Sequence, residues 1–95
     1  MFIVFLKFSS NKSQASQFME GHNEWINRGF NDGVFLLTGS LQSNLGGGIV
    51  AHNTSLSDLQ RRVKDDPFVS ENVVEAEILE ITPSRTEERL SFLLD

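Results

Sequence analysis

Cysteine and tyrosine are both absent from this sequence of 95 residues. Without cysteine there can be no disulfide framework, no thiolate metal ligand and no thiol nucleophile. Two histidines and scattered carboxylates do not make a transition-metal ligand set, so we expect no metal site. The lack of tyrosine, and of a candidate haem ligand beyond His22, makes a haem- or oxygen-using monooxygenase the least favoured class. We therefore expect no cofactor.

Long apolar runs are also missing. No run approaches the ~20 residues that span a bilayer. The apolar stretch over 1–8 is short, and it lacks the basic lead and the small-residue cleavage site of a signal peptide. We therefore expect a cytoplasmic protein with no membrane partner. The length predicts a single domain, 1–95. Within it, residues 84–95 follow the last predicted strand as a C-terminal helical extension.

Basic residues are few and are not clustered into a patch. Lysine and arginine number 8 against 13 acidic residues, and all of the excess negative charge lies in 49–95. The one basic group, Arg61, Arg62 and Lys64, is followed at once by two aspartates. Nucleic-acid binding needs a clustered basic face. We interpret this group as a solvated helix face and expect no nucleic-acid partner.

Strand-like and helix-like patterns follow one another in the order βαββαβ. Alternating apolar residues predict strands, and apolar residues three or four positions apart predict helices. This order is typical of the α+β ferredoxin-like fold, an antiparallel four-stranded sheet with two helices on one face. The predicted strands cover 2–9, 34–42, 48–52 and 73–82; the predicted helices cover 13–32 and the segment between the cap candidates Thr54 or Ser55 and the helix-breaking Asp66-Pro67.

Two shorter motifs lie outside these elements. Ser84 and Glu87 have the spacing of a capping box, which predicts a short helix over 90–94. Ser43, Asn44, Leu45 and the three glycines at 46–48 predict a hairpin connection. The glycines let the backbone turn tightly, and an approach of their backbone to a ligand is the alternative. They do not form a phosphate-binding loop, because no lysine and no helix N-terminus follow.

Both faces of the predicted sheet are apolar. On the face away from the helices we expect Ile3, Phe5, Phe35 and Leu37. Leaving these side chains in water would lose roughly 1.5–3 kcal/mol of burial free energy for each of them. The sum is comparable with the free energy of unfolding of a small domain. We therefore predict a homodimer packed sheet to sheet, with the segment over 90–94 as a clasp.

His22 lies within the apolar stripe of the first predicted helix, four residues after Phe18 and three before Trp25. A buried imidazole needs hydrogen-bond partners. Asp66 is the candidate partner, because a residue before proline is extended and its carboxylate is free to project inward. A carboxylate bonded to one ring nitrogen fixes the tautomer and makes the other nitrogen more basic. The pair predicts a general acid or base; the alternative is a core histidine, with Asp66 capping the turn after Pro67.

Three further residues are candidates for ligand binding. The hydroxyl of Ser40 could hydrogen-bond a ligand, although a small residue packed under the first helix explains it equally well. Trp25 and Phe68 are candidates for the wall of a pocket, and core packing is the alternative for both. His52 ends a predicted strand, and we expect it to be exposed.

Several short motifs in a fixed order make the sequence similar to a known family. They are the first strand, Gly21-His22-Asn23-Glu24-Trp25-Ile26, Gly29 with Gly33, Gly39-Ser40, the glycines at 46–48, and Asp65-Asp66-Pro67-Phe68. Over nearly the whole chain they resemble the YciI-like family, whose hallmarks are the helix histidine and the Asp-Pro-aromatic segment.

The resemblance implies a dimeric α+β barrel of ferredoxin-like protomers, related to the muconolactone isomerases. It also implies a His–Asp active site at His22 and Asp66. A few relatives remove chloride from chlorinated hydroquinone-type intermediates. The expected function is cofactor-free acid–base chemistry on a small organic, cyclic or phenolic substrate. The alternative is a non-catalytic dimeric module that binds a small molecule or serves a larger assembly.

Overall fold

The computed structural model describes residues 1–94 and has the predicted α+β architecture. Two 3-10 helices, Lys12–Gln14 and Glu88–Leu93, accompany the regular elements. The regular elements are β1 (Phe2–Phe8), α1 (Ala15–Asn31), β2 (Phe35–Leu41), β3 (Gly46–Ala51), α2 (Leu56–Lys64), α3 (Pro67–Ser70) and β4 (Val74–Glu80). In the part of the chain that is described, no helix combines the length and apolarity that a membrane span requires.

The four strands form one sheet in the order β2-β3-β1-β4, and every neighbouring pair is antiparallel. Strand β1 therefore lies between β3 and β4. The first and last strands are each next to a partner that is distant in sequence, as the ferredoxin-like order requires. The predicted fold class is confirmed.

One side of the sheet packs against the helices and forms the core. In β1 the side chains of Phe2, Val4 and Leu6 are buried, while the residues between them are more exposed. Trp25 of α1 and Leu59 of α2 are fully buried above this side. The helix α2 begins as predicted at Ser55, whose hydroxyl accepts a hydrogen bond from the backbone N–H of Asp58.

The placement of Phe35 on the open face of the sheet was wrong. A register irregularity lies between Phe35 and Leu37, so the two side chains do not share a face as a regular strand would require. Phe35 is buried and its ring contacts Trp25 edge to face at 5.2 Å. Leu37 is 56% exposed on the open face, close to Ile3 and Phe5.

The glycines at 46–48 are part of a strand and not of a loop. Strand β3 begins at Gly46, and the turn before it has positive φ at Ser43 and Asn44, 64° and 57°. Two consecutive positive φ angles are typical of the type I′ hairpin turn. The hairpin over 43–48 was correctly predicted, but Gly46 and Gly47 belong to strand β3, which begins two residues earlier than expected.

The C-terminal extension differs from the prediction in its cap and its helix type. Its 3-10 helix begins after Glu87, whose carboxylate accepts a hydrogen bond from the N–H of Arg89. Glu87 is therefore the capping residue, and Ser84 is not. Leu90 and Phe92 on this segment remain about half exposed.

Candidate active site

The structure brings His22 and Asp66 together. Nδ1 of His22 lies 2.9 Å from Oδ1 of Asp66, although 44 residues separate them in the chain. His22 is in the middle of α1, and Asp66 is the second of the two residues between α2 and α3. Because an ionised carboxylate can only accept, the hydrogen bond places the proton on Nδ1 of the imidazole.

Asp66 has a structural role at the same time. Its backbone is extended, with φ −66° and ψ 120°, and it caps the short helix that starts at Pro67. The same Oδ1 atom accepts a hydrogen bond of 3.0 Å from the backbone N–H of Phe68. One oxygen atom of Asp66 therefore bonds His22 and also caps the turn after Pro67, the two roles predicted for this residue.

The other carboxylate oxygen of Asp66 is unusual. Asp66 is fully buried, and among residues 1–94 no group donates a hydrogen bond to Oδ2. The two hydrogen bonds at Oδ1, with His22 and with the N–H of Phe68, are therefore the side-chain hydrogen bonds that the described residues give this carboxylate.

The imidazole of His22 is held in a fixed orientation by aromatic packing. The ring of Phe68 is parallel to it within 5°, with centroids 4.0 Å apart, and Trp25 lies at 6.0 Å. The His22 side chain is 16% exposed. With Nδ1 bonded to Asp66, Nε2 is the nitrogen left for chemistry, and within the described chain it has no hydrogen-bond partner.

His22 lines a cavity of about 280 Å³ between α1 and the sheet. Most of the wall is apolar, and the polar side chains other than His22 are Asn23, Thr38 and Ser40. The apolar and glycine lining consists of Leu6, Phe8, Met19, Ile26, Gly39, Gly46, Gly47, Gly48, Phe68 and Val74. An apolar cavity with a few polar groups and a histidine at its wall is the usual form of a small-molecule site.

Of the three other residues predicted to bind a ligand, two line this cavity. Ser40 is exposed and lines the cavity, and Phe68 contributes to its wall. Trp25 does not line it: its ring is 1% exposed and its Nε1–H donates to the carbonyl of Arg62 at 2.8 Å. Trp25 is therefore core, which was the alternative considered for it.

Two polar cavity residues were not anticipated. Asn23 follows His22 on α1, and Thr38 lies two residues before Ser40 on β2. The period-two alternation of a strand places Thr38 and Ser40 on one face, so the signal for Thr38 was present once Ser40 was chosen. The Thr38 hydroxyl donates to the Gly48 carbonyl at 3.1 Å.

The second histidine, His52, does not line this cavity. His52 is half-buried and not exposed as expected, because its ring lies edge to face against Phe92 at 5.5 Å. Across residues 1–94, no three histidine or acidic side chains come together in a group that could hold a metal ion.

Comparison with known proteins shows a similarity of fold. No family model and no curated protein matches the sequence. Among solved structures, the chain is similar to the 5-chloro-2-hydroxyhydroquinone dehydrochlorinase TftG from Burkholderia phenoliruptrix AC1100, in complex with 2,5-dihydroxybenzoquinone. The TM-score is 0.68 at 10% identity, over 85% of this chain and 93% of that chain. The two proteins therefore share an α+β fold.

Proposed function

We propose that this protein is a cofactor-free enzyme of the YciI-like type that moves a proton on a small cyclic, phenolic substrate. The observation that carries the proposal is the hydrogen bond from Nδ1 of His22 to the buried Asp66, beside a cavity that His22 lines. Nε2 is the catalytic atom, and Asp66 is a positioning residue that fixes the tautomer.

The chemistry requires only proton transfer. Nε2 of His22 removes a proton from a hydroxyl or from a carbon next to a carbonyl of the substrate. In an isomerisation the same proton returns to another atom of the substrate. In a dehydrochlorination of a chlorinated hydroquinone, the proton that Nε2 takes from one hydroxyl returns to the ring carbon that bears chlorine. A second hydroxyl proton is then removed while chloride leaves with the electron pair of the C–Cl bond, which gives a quinone, and this second proton passes to solvent. One positioned acid–base group contributes about 10²–10⁴-fold to such a step.

Two further facts support this class of substrate. The structurally similar dehydrochlorinase acts on a chlorinated hydroxyhydroquinone, and it holds a dihydroxybenzoquinone in its complex. The cavity wall here is largely apolar with a few hydroxyl and amide groups, which suits a ring that carries oxygen substituents.

A non-catalytic binding module is the second candidate. It is favoured by the hydrogen bond from the N–H of Phe68 to Asp66, because this bond gives the carboxylate a structural role that does not require catalysis. In that case His22 acts as a buried polar anchor, and the cavity holds a metabolite without converting it.

We also propose that the protein is a homodimer through the open face of the sheet. Leu37 and Leu79 on this side are 56% and 47% exposed, and Leu79 is paired with Ile3. Covering such side chains stabilises an assembly by roughly 25 cal/mol per Å² of apolar area. A second copy of the same sheet supplies a matching apolar face.

A turnover screen tests the enzymatic proposal. The wild-type protein and His22→Gln are incubated with chlorinated hydroquinones, hydroxyhydroquinones and unsaturated cyclic lactones, and the reactions are followed by ultraviolet absorption and chloride release. The proposal expects conversion of at least one compound by the wild type and almost none by His22→Gln. Saturable binding without conversion of any compound would favour the binding module.

A further inference from the structure

Three consecutive glycines open strand β3, and the backbone requires only the first of them. Gly46 has φ 135°, and a Cβ built there would overlap the carbonyl oxygen of Leu6. A Cβ on Gly47 would lie 3.4 Å from the carbonyl oxygen of Gly39, and one on Gly48 meets nothing closer than 3.5 Å. Both are ordinary van der Waals distances. Because glycine weakens a strand, its use at 47 and 48 needs another reason.

Gly47 and Gly48 face opposite sides of the sheet. Gly47 is paired with Leu6 on one side and with Ser40 on the other, and both of these residues line the cavity. Gly48 is paired with Phe5, which lines the open face of the sheet. Gly47 is therefore the position at which the missing side chain leaves space between the sheet and helix α1.

The space beside Gly47 is local to that position. Ile49 lies two residues further along β3 on the same face, and it is 1% exposed and paired with Val4 and Thr38. A branched residue at 47 would extend the same packing into the cavity. Among the glycines that line the cavity, Gly47 is paired on both sides with cavity residues, so a side chain there would take up space beside His22.

We propose that Gly47 is the specificity-determining residue of this cavity, and that its bare backbone is the floor on which a single planar six-membered ring lies with its edge toward His22. The inference rests on the proposed function and names the shape of its substrate. A cavity of about 280 Å³ is larger than the ~150 Å³ that holds benzene in an engineered protein, which leaves room for substituents on one ring. Edge contact is required because the proton of a phenolic hydroxyl lies close to the plane of its own ring, so Nε2 reaches it only at the edge of that ring.

Side chains of increasing size at position 47 test the inference, with a matched change on the other face of the same strand as the control. The control is Val50→Ile, because Val50 pairs with Ile3 on the open face of the sheet and does not line the cavity. Wild type, Gly47→Ala, Gly47→Val and Val50→Ile are labelled with ¹⁵N and titrated with phenol and with 2,5-dihydroxybenzoquinone. The amide shifts of His22 and Ser40 give the Kd. The melting temperature of each variant is measured in parallel, and Gly47→Ala should melt no lower than wild type, since alanine fits without strain.

The expected result is saturable binding by wild type and by Val50→Ile with the same Kd. Gly47→Ala should bind about 10-fold more weakly, and Gly47→Val should show no saturation. A Gly47→Val protein that is folded and binds both probes with the wild-type Kd would overturn the inference, as would a wild type that binds neither probe. The proposed proton transfer fails separately, if ring binding depends on Gly47 but His22→Gln retains full turnover.

Discussion

The ring of Phe68 lies parallel to the imidazole of His22, with centroids 4.0 Å apart, while its own backbone N–H bonds the same Asp66 oxygen that His22 bonds. One short segment thus covers a face of the imidazole and fixes its partner. A change at Asp66 should therefore affect both stability and the state of His22.

Replacing Asp66 by alanine should lower the free energy of unfolding by about 2–4 kcal/mol. The loss combines the cap of α3, about 1 kcal/mol, with an unpaired Nδ1 on His22, about 1–3 kcal/mol. Urea denaturation followed by fluorescence of Trp25 measures it. The control is Asp65→Ala, an exposed neighbour that should change stability by less than about 0.5 kcal/mol. Equal effects of the two substitutions would contradict the structural role of Asp66.

The tautomer of His22 provides a test that needs no substrate. We expect neutral His22 to carry its proton on Nδ1, because the Asp66 carboxylate accepts from that atom. Long-range ¹H–¹⁵N NMR spectra distinguish a protonated from an unprotonated ring nitrogen, and His52 in the same spectrum is the internal reference. Protonation at Nε2 of neutral His22 would show that the hydrogen bond is not formed in solution.

The proposed dimer is tested by placing a charge on the open face. Wild-type protein at micromolar concentration should elute as a dimer in size-exclusion chromatography with light scattering. Leu37→Glu should be monomeric, because a carboxylate would be buried without a partner. Leu45→Glu is the matched control, since Leu45 is also 56% exposed but lies in the β2–β3 turn. A wild-type protein that elutes as a monomer would contradict the dimer proposal.

The sequence predicted the His22–Asp66 contact because each residue carried a local signal. His22 interrupts an apolar helix stripe, and Asp66 precedes a proline that forces its backbone to be extended. The βαββαβ order then determines which elements lie side by side. These signals made Asp66 a candidate partner and left a core histidine as the alternative, and the resemblance to the YciI-like family implied the pair.

The parts that the sequence did not predict depend on the strand register. The irregularity between Phe35 and Leu37 has no local signature in a run of large apolar residues, and it reverses the face of Phe35. The face of Gly47 likewise depends on its pairing with Leu6, which is 41 positions away. A sequence shows that three glycines are consecutive, but pairing decides which one leaves a cavity.

The central claim is that His22 and Asp66 act as one acid–base unit, and a double-mutant cycle in kcat/KM tests it most directly. With the first substrate that the wild type converts, His22→Gln should lower kcat/KM by about 10²–10⁴-fold. Asp66→Asn should cause a smaller loss. The double variant should be no worse than His22→Gln alone, because Asp66 acts only through the imidazole. Full turnover by His22→Gln, or losses that multiply in the double variant, would contradict the claim.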